Sequence, residues 1–164
     1  MEKNLIIEQN SFINGWICGF IDGEGCFCIS FNYKTSMPCG IEVRPSFSVS
    51  QKAHSLDSIK KIYNFFKCGG IRYSPKDGTY KYEVRSIDDL NNKIIPFFKK
   101  HSLFTKKQVD FLLFSELCKL IASGQHLNRI GLKEILLKSY QMNGSGKRKY
   151  KLEDLLKFIG ELKV

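Results

Sequence analysis

The chain has no uninterrupted apolar run near the roughly 20 residues that a membrane span needs, because charges or amides break every stretch. Acids are few as well: 16 Asp+Glu stand against 26 Lys+Arg, a formal charge of +10. Arginine is scarce within that basic excess, 5 against 21 lysines. The six cysteines and three histidines include one close pair, Cys26-Phe27-Cys28, and no second Cys/His pair at metal-ligand spacing. That excludes a structural zinc site and any recognisable disulfide framework. The six are expected to be free thiols in a reducing compartment, with Cys26 and Cys28 sharing one face of a strand. The start, Met1-Glu2-Lys3-Asn4, lacks a secretory apolar region and an Arg/Ser-rich transit pattern, so the protein is expected to work where it is made. No internal repeat is visible.

With 43% apolar and 13% aromatic residues, the 164-residue chain can build one core, which excludes wholesale disorder and leaves no room for two well-packed domains. A charge of +10 on so small a body favours a polyanionic partner, nucleic acid first; the alternative is a cationic surface kept for solubility.

The apolar spacing predicts a helix over Phe12 to Phe20, with Asn10 or Ser11 as its N-cap. A break follows at Asp22-Gly23-Glu24-Gly25. Strands are expected over Cys26 to Tyr33 and Ile41 to Ser50, joined by a loop over Thr35 to Gly40. A helix over Ser55 to Phe66 should stop at Cys68-Gly69-Gly70. A second hairpin, Ile71 to Ser74 and Tyr80 to Arg85, turns at Pro75-Lys76-Asp77-Gly78. Helices are then expected over Asp88 to Lys100, Thr105 to Ala122 with Thr105 as cap, Leu132 to Met142, and Leu152 to Val164. A basic, Gly-rich link, Asn143 to Lys149, joins the last two. The class is α+β, a single domain over 1–164 with its core over about 11–122 and a helical extension over about 123–164.

Gly15, Gly19 and Gly23 recur every fourth residue, on nearly one face of the first helix. Each costs about 1 kcal/mol relative to Ala in a helix interior, so three in register need a reason. Small residues at this spacing let two backbones approach closely. The chain has no second such helix, so the simplest partner is the same helix of another copy; the alternative is helix–sheet packing that requires small residues. Asp22 and Glu24 stand at the negative end of that helix. If the glycine face is a dimer seam, their copies come close too, which raises carboxyl pKa values or calls for a cation. An oxygen-loving divalent ion such as Mg²⁺ meets both difficulties. Taken alone, Asp-Gly-Glu-Gly is also an ordinary solvated turn.

The stretch Trp16-Ile17-Cys18-Gly19-Phe20-Ile21-Asp22-Gly23-Glu24-Gly25 resembles the LAGLIDADG motif of homing endonucleases. The match runs from Ile17 to Gly25, with Gly19, Ile21, Asp22 and Gly25 identical and Glu24 in place of the second Asp. The family's helix-strand-strand-helix-strand-strand-helix order agrees with the order read above over Ser11 to Ala122. Members with one motif per chain act as homodimers, so the resemblance implies one here, with Gly15, Trp16, Gly19, Phe20, Asp22 and Gly23 at its interface. It further implies that Glu24 binds the divalent ions, Mg²⁺ with Mn²⁺ or Ca²⁺ able to substitute for binding, that the Gly23 backbone approaches the metal, and that Asp22 is more structural than catalytic. Gln51, in Val49-Ser50-Gln51-Lys52, resembles the polar residue that positions water. Lys107, favoured over Lys106, resembles the basic residue that stabilises the phosphate. Ser55 departs from the pattern, since some members carry another active-site cation there.

The activity so implied is metal-dependent phosphodiester hydrolysis with a staggered double-strand break in a long, pseudo-palindromic DNA target. The four strands would read the major groove with their polar faces. Those faces are Cys28, Ser30, Asn32 and Lys34; Glu42, Arg44, Ser46 and Ser48; and Arg72, Ser74, Lys76, Lys81, Glu83 and Arg85. Lys147, Arg148 and Lys149 are expected on phosphates. Gly144-Ser145-Gly146-Lys147 lacks the upstream Gly of a nucleotide-binding loop and has Arg148 where Ser/Thr is required, so no nucleotide cofactor is expected. No membrane partner is expected either. Synthesis inside a chloroplast or mitochondrion, from an intron reading frame, would need no import signal. The alternatives are an intron RNA maturase, a non-cleaving DNA-binding protein of the same fold, and a plain basic binding module whose acids are structural.

Overall fold

The computed structural model describes residues 2–144 and 146–161, with side chains described for 11–144 and 146–160. Ser145, within the basic link, and 162–164, at the end of the last expected helix, lie outside the described residues, as does Met1.

The first helix, α1 (Glu2–Glu24), is longer than the spacing predicts at both ends. Asn10 and Ser11 fall inside it rather than at its start. The helix also runs through Asp22 and Gly23, so the break comes only at Gly25, which opens β1 (Gly25–Tyr33). A methyl group on Gly25 would fall 2.5 Å from Ile21 Cγ2 and 2.8 Å from the Ile21 carbonyl oxygen, so the turn from helix into strand closes only around a glycine. Strand β2 (Ile41–Lys52) pairs antiparallel with β1. A 3₁₀ turn, Ala53–Ser55, leads into α2 (Leu56–Phe66). The residue that ends α2 in the left-handed conformation is Lys67 (φ 50°), not a glycine. Gly69 (φ 74°) is needed two residues later, where a Cβ would lie 2.5 Å from the Glu83 carbonyl oxygen.

Strands β3 (Gly70–Ser74) and β4 (Thr79–Val84) form the expected hairpin around Pro75 to Gly78, with Gly78 at φ 59°. The sheet order is β1-β2-β4-β3, antiparallel throughout. The expected helix over Asp88 to Lys100 is three pieces: α3 (Ile87–Asp89), a π-helical turn (Leu90–Ile94) and α4 (Ile95–Lys100). Pro96 explains the irregularity, because it offers no N–H and its ring crowds the carbonyl four residues back. Helix α5 (Lys107–Ala122) follows, then α6 (Arg129–Ser139) and α7 (Leu152–Glu161). Helix α6 starts three residues before the expected Leu132 because Asn128 caps it, accepting from the Gly131 N–H at 2.9 Å.

One face of the sheet is covered by helices and the other is open. The covered face supplies Phe27, Ile29, Phe47, Val49, Tyr82 and Val84, all at or near complete burial, against Ile17 and Ile21 of α1, Ile59 and Ile62 of α2, and Phe111 and Phe114 of α5. Leu132, Ile135, Leu136, Met142, Leu155 and Ile159 join the same buried cluster, so the helical extension is part of one core. All six cysteines are free thiols. No helix among the described residues is long and apolar enough to cross a membrane.

Gly25→Ala should lower unfolding free energy by about 2–4 kcal/mol, since neither Ile21 atom can move without disturbing the core. Chemical denaturation checks this, and a change under 1 kcal/mol would contradict the steric reading.

Candidate active site at the foot of helix 1

The last carbonyls of any helix lack intrahelical partners and carry its negative dipole end. Two acids are placed there, and the structure compensates with donors from 82 to 86 residues further along. The Asp22 carboxylate accepts from the Phe104 N–H (2.6 Å), the Thr105 N–H (3.2 Å) and the Thr105 hydroxyl (2.8 Å). Burial pushes its pKa up, but these donors and the nearby Lys107 charge outweigh that and hold the carboxyl below its ordinary value. Asp22 is thus satisfied by donors of its own chain. Thr105 precedes α5 rather than capping it directly, yet its hydroxyl accepts from the Lys107 N–H at 3.2 Å. Lys107 then reaches back, its Nζ donating to the Ile21 carbonyl at 2.9 Å. Burial pulls the Lys107 pKa down, against the neighbouring Cys26, Asp22 and Glu24.

Glu24 differs from Asp22. Its side chain is exposed and makes no hydrogen bond or ion pair among the described residues. Gly23, next to it in the chain, and Lys106 are exposed as well. With Asp22, Thr105, Lys107, Asp110, Asn143 and Gly144 they line an open cleft of about 410 Å³. Among the described residues, no group of three or more His, Cys, Asp or Glu side chains converges on one point. Gln51 is half-buried two residues past the Gly25–Val49 pair, at the end of the sheet where α1 enters β1, and pairs with Tyr80. It makes no direct contact with Glu24 or Lys107 among the described side-chain bonds.

The glycine stripe is open. A Cβ at Gly15, Gly19 or Gly23 would meet nothing within 4 Å, so packing against the chain's own sheet does not account for it. Trp16 and Phe20 lie with ring centres 5.3 Å apart and planes tilted by 38° on the flank of this face, and lean partly into the core rather than standing free on it. Sequence reading missed Phe12 and Phe104, which are 76% and 93% exposed. Phe104 lines a hollow with Ser11, Asn14, Gly15 and Cys18. No local pattern marks Phe104, because its place is set by the Asp22 bond to its N–H.

On the open sheet face, the even positions of β1 and β2 point outward as expected, with Cys28, Ser30, Asn32, Glu42, Arg44 and Ser46 exposed or half-exposed. Ser48 is the exception, 7% exposed, since it sits between Cys26 and Glu83 across the two adjoining strands. Arg72, Ser74, Lys81 and Glu83 share that face, Lys76 stands in the turn, and Lys34 and Arg85 lie just past strand ends. Cys26 shares this face with Cys28 as expected, and Ser50, Lys52 and Thr79 belong to it too and were not anticipated. Lys147 is exposed. Arg148 is not a surface cation: it donates to the carbonyls of Ile29 (2.8 Å), Met142 (3.1 Å) and Ser139, and lies over the Tyr140 ring. Its planar fork suits three carbonyls at once, which an isolated basic run does not reveal. Lys149 is engaged as well, donating to Asn32 Oδ1 at 3.0 Å.

The LAGLIDADG endonuclease family model matches residues 17–118, from the motif helix to the middle of α5. The chain belongs to the LAGLIDADG endonuclease family. Homing endonuclease I-ApeII of Aeropyrum pernix is 31% identical, with 90% of each protein covered. Probable intron-encoded endonuclease 2 of Neurospora crassa is 31% identical over 82% of this chain, which spans only 30% of that protein. The archaeal intron-encoded homing endonuclease I-Vdi141I, solved in complex with DNA, superposes with a TM-score of 0.84 at 30% identity, covering 93% of this chain and 97% of that one. I-SmaMI, bound to an uncleaved DNA target in the presence of calcium ions, superposes with a TM-score of 0.79 at 30% identity; this chain spans 48% of it.

Asp22→Ala should cost about 1–3 kcal/mol at pH 7 through the lost charged hydrogen bonds. Because the folded pKa is depressed, that contribution exists above the ordinary carboxylate pKa of about 4 and disappears as pH falls through the lower folded value. Thermal unfolding of both proteins across pH 2–7 should show the gap closing only below about pH 4.

Proposed function

We propose that the protein is a sequence-specific homing endonuclease that cuts double-stranded DNA at the cleft below α1, as a homodimer joined along the glycine stripe. The observation that carries this reading is the contrast between the two motif acids. Asp22 is consumed by three donors, whereas Glu24 is left exposed and unbonded beside the Lys107 ammonium.

A single exposed carboxylate suits a hard divalent ion such as Mg²⁺, which takes oxygen ligands and keeps waters and phosphate oxygens around it. Glu24 would hold it, with the Gly23 backbone alongside. When bound, such an ion lowers the pKa of its water and stabilises charge on the attacking and leaving oxygens. The chain's own groups do the rest. Lys107, with Nζ anchored on Ile21, presents positive charge where phosphate charge grows. Gln51, at the end of β2, would orient water. Lys106, free at the cleft rim, draws the phosphate backbone in.

The uncovered stripe of Gly15, Gly19 and Gly23, flanked by Trp16, Phe20, Phe12 and Phe104, supports a twofold seam that brings two Glu24 carboxylates together. Two sites across that axis, one per strand, lead to a staggered double-strand break and a pseudo-palindromic target. The open sheet face, with Lys34, Arg44, Lys52, Arg72, Lys81 and Arg85 on it, fits the major groove. Intron-encoded relatives support an origin in an organellar intron.

Glu24→Gln should abolish cutting of a cognate duplex while leaving its binding within about threefold; a variant that cuts as fast as the parent overturns the mechanism. The pool of duplexes to be challenged is randomised, and the cut ends are sequenced with Mg²⁺ present. RNA binding with no DNA product would point to a maturase instead.

Gly19→Ala should stabilise the isolated helix by about 0.5–1 kcal/mol. The same change should weaken self-association at least tenfold in sedimentation experiments. Stability and association moving in opposite directions is the signature of a seam; unchanged association rules it out.

A further inference from the structure

The open sheet face contains one arrangement twice. On the first hairpin, Glu42 accepts from Lys34 Nζ on Oε1 (2.7 Å) and pairs through Oε2 with Arg44 Nε (3.5 Å). On β4, Glu83 pairs through Oε1 with Lys81 Nζ (2.9 Å) and through Oε2 with Arg85 Nε (2.9 Å). In both, the lysine takes one carboxylate oxygen and the arginine the other. In both, the arginine approaches the carboxylate through Nε, and neither guanidinium pairs with any other group among the described residues. The terminal NH₂ groups have no second partner among those residues.

A guanidinium needs two coplanar N–H groups to meet the O6 and N7 acceptors of guanine in the major groove, the commonest specific protein–DNA contact. Free arginines pay rotamer entropy to adopt that pose, and one fixed through Nε pays less. The carboxylates are suited to the buttress role. Glu83 is only 15% exposed, so it is poorly placed to accept from a cytosine amino group itself. The Lys81 and Arg85 charges offset the effect of its burial and keep its pKa below the usual range, so the buttress stays ionised at neutral pH.

We propose that Arg44 and Arg85 are guanine-reading, specificity-determining residues of the DNA face, and that Glu42 and Glu83 are the positioning residues that aim them. This rests on the reading of the sheet as a DNA-binding surface, and it adds a feature of the target sequence. Continuing the register one step past Phe47–Val84 sets Arg85 beside Ser46. The two arginines then start about 8 Å apart on neighbouring strands. At about 3.4 Å per base step, each half-site carries two guanines within about three base pairs of each other.

The test is enrichment of a randomised duplex pool by the full-length protein in Ca²⁺, so that binding is scored apart from cutting, followed by sequencing of the bound fraction. The parent should enrich half-sites with two closely spaced guanines. Arg85→Ala should relax the preference at one of them by about ten- to hundred-fold and Arg44→Ala at the other. Glu83→Ala, which leaves Arg85 in place, should weaken the same position as Arg85→Ala, an effect that a phosphate contact would not produce. All three are surface changes, and their thermal unfolding is recorded alongside. Uniform weakening with unchanged base preference overturns the assignment while leaving the DNA-binding reading intact. Failure of the parent to enrich any duplex overturns that reading and this assignment with it.

Discussion

The clasp between the foot of α1 and the segment that opens α5 is the interaction on which the rest of the molecule depends. Asp22 holds Phe104 and Thr105, Thr105 holds the Lys107 amide, and Lys107 returns to the Ile21 carbonyl. The circuit closes over more than 80 residues of chain and resolves an electrostatic problem. Carboxylates at a helix C-terminus are unfavourable, and here a cation and three N–H or O–H donors are brought to that spot. One acid is neutralised in effect, and the other is left exposed. The same circuit sets Phe104 beside the glycine stripe, so one carboxylate ties the candidate dimer face to the candidate catalytic lysine.

The sheet obeys a second constraint. Strand β1 lies at its edge, where unpaired carbonyls would be exposed to solvent or to another chain. The link after α6 covers it: Asn143 Nδ2 donates to the Phe27 carbonyl at 2.7 Å and Arg148 to the Ile29 carbonyl at 2.8 Å. Asn143 accepts the left-handed conformation (φ 52°) to do so, and its N–H reaches Asp110 of α5 at 3.0 Å. The helical extension is therefore structural at the edge of the open face, and it closes the cleft below α1 on the side of Gly144. This also explains how scarce arginine is used. Arg148 spends its fork on three carbonyls, while Arg44 and Arg85 stand on the open face, each held by a carboxylate. Lysine, a point charge, shares that face at Lys34, Lys52 and Lys81.

Much of the fold was legible because its signals are local. Alternation over β1 and β2, the Asp-Gly turn before β4 and the Gly spacing of α1 are each written within a few residues. The misreadings share a cause. Pro96 distorts a helix through a clash with its own preceding turn, which apolar periodicity does not register. Lys67 takes a left-handed φ because Gly69, two residues on, is reserved for a close approach to Glu83. Ser48 alternates correctly but is shaded by neighbours on two other strands. Arg148 looks basic and exposed beside Lys147 and Lys149 until three carbonyls, from β1 and from the end of α6, surround it.

By itself the sequence determined the class, the strand and helix order, the family motif and the basic balance, because these follow from periodicity, turn chemistry and charge count along the chain. It also marked Glu24 and Lys107 as candidates, through resemblance to that motif and its companions. Only the tertiary structure decided which acid is occupied and which is left open. Only it showed that Lys107 rather than Lys106 points to the helix end, and that the glycine face meets no partner among the described residues. Those outcomes depend on donors and surfaces more than 80 residues apart, and the geometry of a hydrogen bond, unlike a pattern, exists only once the two ends have met.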